Sequence, residues 1–157
     1  MGDQGEAADF DHMVADLQRQ IIEQERALYS DKVIKEAHNP RNLGRMERAD
    51  AYGIVHGWCG DTMEIYLRLN GERIEKAAFM TDGCGPAVAC GSMLTRLVQG
   101  MSLEEAGKIT PEDLIAALDG LPEESAHCAE LAVSTLQETI ANRRAEGSAR
   151  SEESDDC

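Results

Sequence analysis

Apolar residues recur at helical spacing between Asp11 and Leu28, where Met13, Val14, Leu17, Ile21 and Leu28 share one side. This pattern predicts an amphipathic helix. Ser30 can cap a second, short helix reaching Glu36, which stops before the turn-forming His38-Asn39-Pro40. The period then falls to two. Met63, Ile65, Leu67 and Leu69 alternate with Glu64, Tyr66, Arg68 and Asn70, as in a strand buried on one face. Asn70-Gly71 offers the positive φ angles of a tight hairpin, and Ile74 to Thr81 returns as the next strand. Tyr52 to His56 adds a third strand before the Gly57–Gly60 turn.

Helices with clear punctuation follow the strands. Pro86 suits the first turn of a helix that runs to Gln99 and stops at Gly100. Ser102-Leu103-Glu104-Glu105 reads as a capping box for a short helix. Thr110-Pro111 opens another, closed by Gly120. From about Ser125, the set Cys128, Leu131, Leu136 and Ile140 marks a long final helix. Strands followed by helices predict a two-layer α+β fold, a three-stranded antiparallel sheet with helices packed on one face.

The 157 residues fit one domain, and 42% hydrophobic with 29% charged content is globular. The net charge of −15 is unevenly spread. Residues 1–28 carry −5, 29–110 only −1, 111–130 −6 without a single base, and 146–157 −4. This divides the chain into an acidic helical extension (1–28), a folded domain (29–145) and an acidic Ser/Glu/Asp tail (146–157) whose composition predicts disorder. The apolar stripe of the extension serves either to pack on the domain or to join copies of the chain. So acidic a chain argues against nucleic acid as a partner, since phosphate binding needs clustered Lys and Arg. No apolar run is long enough for a bilayer helix, so no membrane partner is expected. The start of the chain lacks a secretory pattern, which leaves a cytoplasmic location as the expectation.

Five cysteines without paired spacings fit a reducing compartment. Cys59 lies in the turn Gly57-Trp58-Cys59-Gly60-Asp61, and Cys84 in Asp82-Gly83-Cys84-Gly85-Pro86 at a strand-to-helix junction. Cys128 follows His127 at the start of the last helix. Flanking glycines permit tight turns and leave the sulfur approachable, and a helix N-terminus favours the thiolate that binds soft metals and accepts sulfur. Cys90, mid-helix among small apolar residues, reads as packing, and Cys157 in the tail as incidental. His12, His38 and His56 have no partner at metal-ligand spacing. A thiol hydrolase pairing Cys84 with His127 lacks a local signature.

The order Cys59-Gly60-Asp61, Gly83-Cys84-Gly85-Pro86-Ala87 and His127-Cys128-Ala129-Glu130-Leu131-Ala132 resembles the iron–sulfur cluster assembly scaffolds, IscU and the N-terminal domain of NifU. Tyr29-Ser30-Asp31-Lys32-Val33, Asn39-Pro40-Arg41-Asn42 and Gly120-Leu121-Pro122 agree with it, so the likeness spans about Tyr29 to Arg143. It implies the same fold that the periodicity predicts. It further implies that Cys59, Cys84 and Cys128 ligate a [2Fe–2S] cluster, with Asp61 or His127 as the fourth or exchanging ligand. One carboxylate or imidazole corner would make the cluster releasable, where four thiolates would hold it firmly. Cys128 would receive persulfide sulfur from a cysteine desulfurase, with Cys59 as a relay. The chain would be a carrier serving apo iron–sulfur acceptor proteins, and not an enzyme.

Two features qualify the resemblance. Bacterial members often carry Leu-Pro-Pro-Val-Lys before His-Cys, recognised by an Hsp70-type chaperone, whereas this chain reads Leu121-Pro122-Glu123-Glu124-Ser125. The altered segment argues against that chaperone as a partner. The related SufU branch binds zinc at a similar constellation and accepts sulfur, so zinc at Cys59, Asp61 or His127, Cys84 and Cys128 is the alternative. That branch usually lacks the His before the last Cys and carries an insertion between the second and third motifs. Here His127 is present and no insertion is evident, which favours the scaffold.

Overall fold

The computed structural model describes the backbone of residues 3–58 and 60–155 and the side chains of 6–58 and 60–145. Helices α1 (Asp3–Leu28) and α2 (Asp31–His38) precede strands β1 (Ala51–His56), β2 (Thr62–Asn70) and β3 (Arg73–Thr81). Helices α3 (Gly85–Val98), α4 (Leu103–Ala106) and α5 (Pro111–Ala117) follow, then a single 3₁₀ turn, Glu123–Ser125, and α6 (Ala126–Asp155). The strands form one antiparallel sheet in the order β1-β2-β3. The fold is therefore α+β, as the change of period from two to helical spacing predicts.

The alternation in β2 translates into burial with two exceptions: Tyr66, on the outward set, is buried against Tyr52 with ring centroids 5.0 Å apart, and Leu69 is only half-buried. Met63, Ile65 and Leu67 are fully buried, with α6 packed on β1 and β2 and α3 on β3, whose Ala77 and Phe79 are buried beside them. Arg68 pairs with Lys76 but Leu69 pairs with Ile74, so Glu75 is an extra residue in β3. This bulge returns Ile74 to the core side. The hairpin turn lies one residue later than Asn70-Gly71 suggests. Asn70 still pairs with Arg73, and Gly71 alone of the two has a positive φ, +65°. A glycine in the first central position is what a type II′ turn requires.

Two glycines set how closely helices approach the sheet. A Cβ on Gly91 of α3 would stand 2.3 Å from the Phe79 ring, and one on Gly53 of β1 would stand 2.8 Å from Cα of Thr139 in α6. Only a bare Cα lets α3 and α6 sit this low, which fixes where their N-terminal ends emerge. The buried Thr135 and Thr139 hydroxyls donate to the carbonyls of Leu131 and Thr135, each at 2.7 Å, so α6 buries no unsatisfied oxygen there. The β3 edge is covered by residues 42–44, with Phe79 N donating to Asn42 O at 2.9 Å and Gly44 N to Phe79 O at 2.9 Å.

The predicted caps are present. Ser30 accepts from Val33 N, and both Ser102 and Thr110 form reciprocal capping boxes. Gly100 takes φ +88° just after α3. Helix α2 runs on to His38, two residues beyond the expected Glu36, and is pinned to α3 by a buried carboxylate. Glu36 pairs with Arg96 and accepts from Ser92 Oγ, which itself accepts from Arg41 N at 2.8 Å. Helix α6 extends to Asp155.

Candidate functional site

The three cysteine motifs occupy the ends of different elements, and short polar links tie two of those ends together. The β1–β2 turn closes on itself, Gly57 N donating to Asp61 O at 2.7 Å and Gly60 N to Gly57 O at 3.0 Å. Gly60 adopts φ +94°, a conformation that a side chain would strain. Thr62, the next residue, is held from the far loop. Its N–H donates to Asp82 Oδ1 at 2.7 Å, and its carbonyl accepts from Thr81 Oγ1 at 2.7 Å. Thr81 Oγ1 also accepts from Gly83 N at 3.1 Å. Residues 81–83 thus clasp the strand start that carries Asp61.

That clasp brings Asp61 to the second motif. A Cβ built on Gly83 would lie 3.2 Å from Asp61 Oδ2 and 2.7 Å from Ala87 Cβ, so the carboxylate rests over a glycine adjoining Cys84. Cys84 is the N-cap residue of α3 and is exposed, with no hydrogen bond from its side chain to the helix. Pro86 follows in the first turn, as the sequence predicts. The thiol stands at the positive end of a 14-residue helix.

The third motif opens α6 after the 3₁₀ turn. His127 is half-buried, and its Nε2 lies 3.6 Å from Cys128 Sγ. Cys128 itself is buried. The Trp58 indole stacks obliquely against the His127 ring, centroids 5.7 Å apart, while remaining 85% exposed. Between them opens a hollow of about 210 Å³ lined by Val55, Gly57, Trp58, His127, Glu130 and Leu131. The first and third motifs therefore share a wall, and the first and second share the Asp61–Gly83 contact.

Cys90 lies behind these groups. It is fully buried, and its thiol is pushed far above the usual range, first by burial and then by the neighbouring Cys128 and Cys84 sulfurs. A thiol so protonated is a packing group, in keeping with its small apolar surroundings. Cys59 lies outside the described residues. Among the described residues, no three His, Cys, Asp or Glu side chains are gathered to hold one metal ion. Also among the described residues, no helix is long and apolar enough to cross a membrane. The Thr81–Asp82 clasp and the Trp58–His127 stack were not evident from spacing. Their signal is the Asp-Gly-Cys turn and an aromatic residue adjoining a glycine-rich loop.

The fold and these loops place the chain in a defined class. Residues 28–148 match the NifU-like N terminal domain, and the chain belongs to that family. Among named relatives, the iron-sulfur cluster assembly scaffold protein IscU of Archaeoglobus fulgidus is 45% identical over 114 residues, covering 72% of this chain and 74% of that one. IscU of Escherichia coli K12, also named a scaffold protein, is 39% identical over 127 residues, covering 78% and 98%. The nitrogen fixation protein NifU of Azotobacter chroococcum is 40% identical over 121 residues, but this chain spans only 39% of its length. The fold recurs in the N-terminal part of a nitrogen-fixing NifU-like protein from Brucella abortus, with TM-score 0.60, 20% identity, and coverage of 74% and 94%.

Proposed function

We propose that this chain is a scaffold on which a [2Fe–2S] cluster is built from iron and persulfide-derived sulfur and then handed to apo acceptor proteins. The observation that carries this reading is the placement of Asp61, Cys84 and the His127-Cys128 pair on three adjoining element ends, in a chain 45% identical to a named scaffold. Cys59, Cys84 and Cys128 supply the thiolates, and Asp61 or His127 the fourth position. A carboxylate or imidazole at one corner binds more weakly than a fourth thiolate, so an acceptor cysteine can displace it there.

Sulfur enters at Cys128, with Cys59 as a relay. The Cys128 thiolate attacks the outer sulfur of a cysteine desulfurase persulfide. A new S–S bond forms on Cys128, and the desulfurase cysteine leaves as thiolate, with no net oxidation. Conversion of that sulfane sulfur to sulfide takes two electrons from an external electron-transfer protein. Because Cys128 is buried and Cys84 exposed, iron or a docking partner first meets Cys84, and the α6 N-terminus has to loosen for Cys128 to react.

Glu123 and Glu124, both exposed, occupy the turn before His127 and leave no lysine there for an Hsp70-type chaperone. Cluster delivery therefore proceeds without such a chaperone at this segment. We place the protein in the cytoplasm, where thiols stay reduced.

Anaerobic reconstitution with ferrous iron, L-cysteine and a cysteine desulfurase tests the reading. The expected product carries equal iron and sulfide, with visible charge-transfer absorption and the Mössbauer signature of a [2Fe–2S] centre. Stoichiometric zinc that resists replacement, with sulfur accepted but no iron retained, would instead establish a SufU-type zinc sulfur acceptor.

A further inference from the structure

Helix α1 leaves its apolar stripe in water. Phe10, Leu17, Ile21 and Leu28 are 60%, 51%, 54% and 64% exposed. The helix meets the domain with another face, where Ile22, Glu25 and Arg26 lie across a hollow from Ile34, Lys35 and His38 of α2. Glu25 Oε2 and His38 Nε2 are 2.9 Å apart there. At 100° per residue, that face is turned from the stripe by roughly 110°. So the first of the two roles open to the stripe, packing on its own domain, is not the one it fills.

The spacing of the stripe identifies its occupant. Phe10, Val14, Leu17, Ile21, Gln24 and Leu28 follow one another at alternating intervals of four and three residues, the heptad seam of a coiled coil. Val14 and Ile21 fall in one core position and Leu17 in the other, the combination that favours two parallel strands. Gln24, in the same core position as Phe10 and Leu17, is the one polar residue of the seam. Within Phe10–Leu28 a parallel pair sets Met13 and Gln20 of one helix against Gln18 and Glu25 of the other. Glu6 and Asp11 of opposite copies meet only at its N-terminal end, whereas an antiparallel pair sets Asp11 against Glu25 along the seam itself.

The area is sufficient. Phe10, Met13, Leu17, Ile21 and Leu28 expose roughly 100 Å² each, so two copies would cover on the order of 1,000 Å², the lower bound for a specific interface. We infer that the partner of α1 is a second copy of this chain, held in a parallel two-stranded coil from Phe10 to Leu28. Both domains then stand at the same end of the coil, each joined to it through Tyr29 and Ser30. An interface of this size dissociates on dilution.

Sedimentation velocity of the full chain under reducing conditions, over roughly 1–200 µM, tests this. The wild type should pass with concentration from the 17.1 kDa of one chain to twice that mass. The double variant Leu17→Glu/Ile21→Glu should stay at one chain throughout, with the domain's thermal unfolding unchanged. Arg19→Glu, on the opposite side of α1, should dimerise like the wild type. A wild type that stays at one chain over the whole range would overturn the inference. So would a dimer that survives the double variant, or an assembly of three or more chains.

Discussion

Cys84 and Cys90 belong to the same stretch of chain, six residues apart, yet the fold gives them opposite chemistry. Cys84 caps α3 in the open, at the helix N-terminus and beside the Asp61 carboxylate. Cys90 is sealed under the same helix against the sheet, and burial keeps its thiol protonated. Residue type alone does not make a ligand. What separates the two is whether the helix presents the sulfur at its end or buries it along its core-facing stripe.

Substitutions at four positions test that contrast. Cys84→Ser should have the largest effect, reducing iron and sulfide in the reconstituted protein to background while circular dichroism stays that of the wild type. Asp61→Ala should come next. If the carboxylate is the exchangeable corner, transfer to an apo acceptor should slow by roughly tenfold, about 1.4 kcal/mol in the barrier. Assembly, followed by absorbance, should slow less. Equal slowing of both would assign the exchangeable position to His127.

Gly91→Ala forces a methyl group into the Phe79 ring, 2.3 Å away, and should lower unfolding free energy by about 1–3 kcal/mol in urea melts. Any loss of cluster should then track loss of folded protein. Cys90→Ser should change least. Its hydroxyl can donate to a carbonyl one helical turn back, so stability should shift by no more than about 1 kcal/mol and cluster content not at all. Alkylation with iodoacetamide gives the same contrast without mutation. Mass spectrometry of the folded chain should find Cys84 modified and Cys90 spared, with Cys90 labelled only in denaturant.

Much of this arrangement is legible in the order of residues. The alternation from Met63 to Leu67 and the capping boxes at Ser102 and Thr110 are local signals, and the fold reproduces them except at Tyr66, which is buried. So is Pro86 in the first turn of α3, which identified Cys84 as a helix-end residue. Long-range pairings left no such trace. Glu36 looks like a surface residue of a short helix until Arg96 and Ser92, far along the chain, are brought over it. Thr81 and Asp82 become a clasp only once β2 and β3 lie side by side. The bulge at Glu75 was hidden because Ile74 to Thr81 reads as an unbroken strand. Nor could the stripe on α1 be assigned, since its pattern is the same whether a domain or a second helix covers it.

The measurement closest to the central claim is transfer itself. Anaerobically reconstituted protein is mixed with a small excess of apo-ferredoxin in the presence of an iron chelator, and ferredoxin's own spectrum is followed with time. A scaffold with a releasable corner should deliver an intact cluster, with ferredoxin activity rising in step with loss of the donor spectrum and little iron reaching the chelator. If the chelator takes all the iron while ferredoxin stays apo, or if the donor never releases its cluster, the account is contradicted.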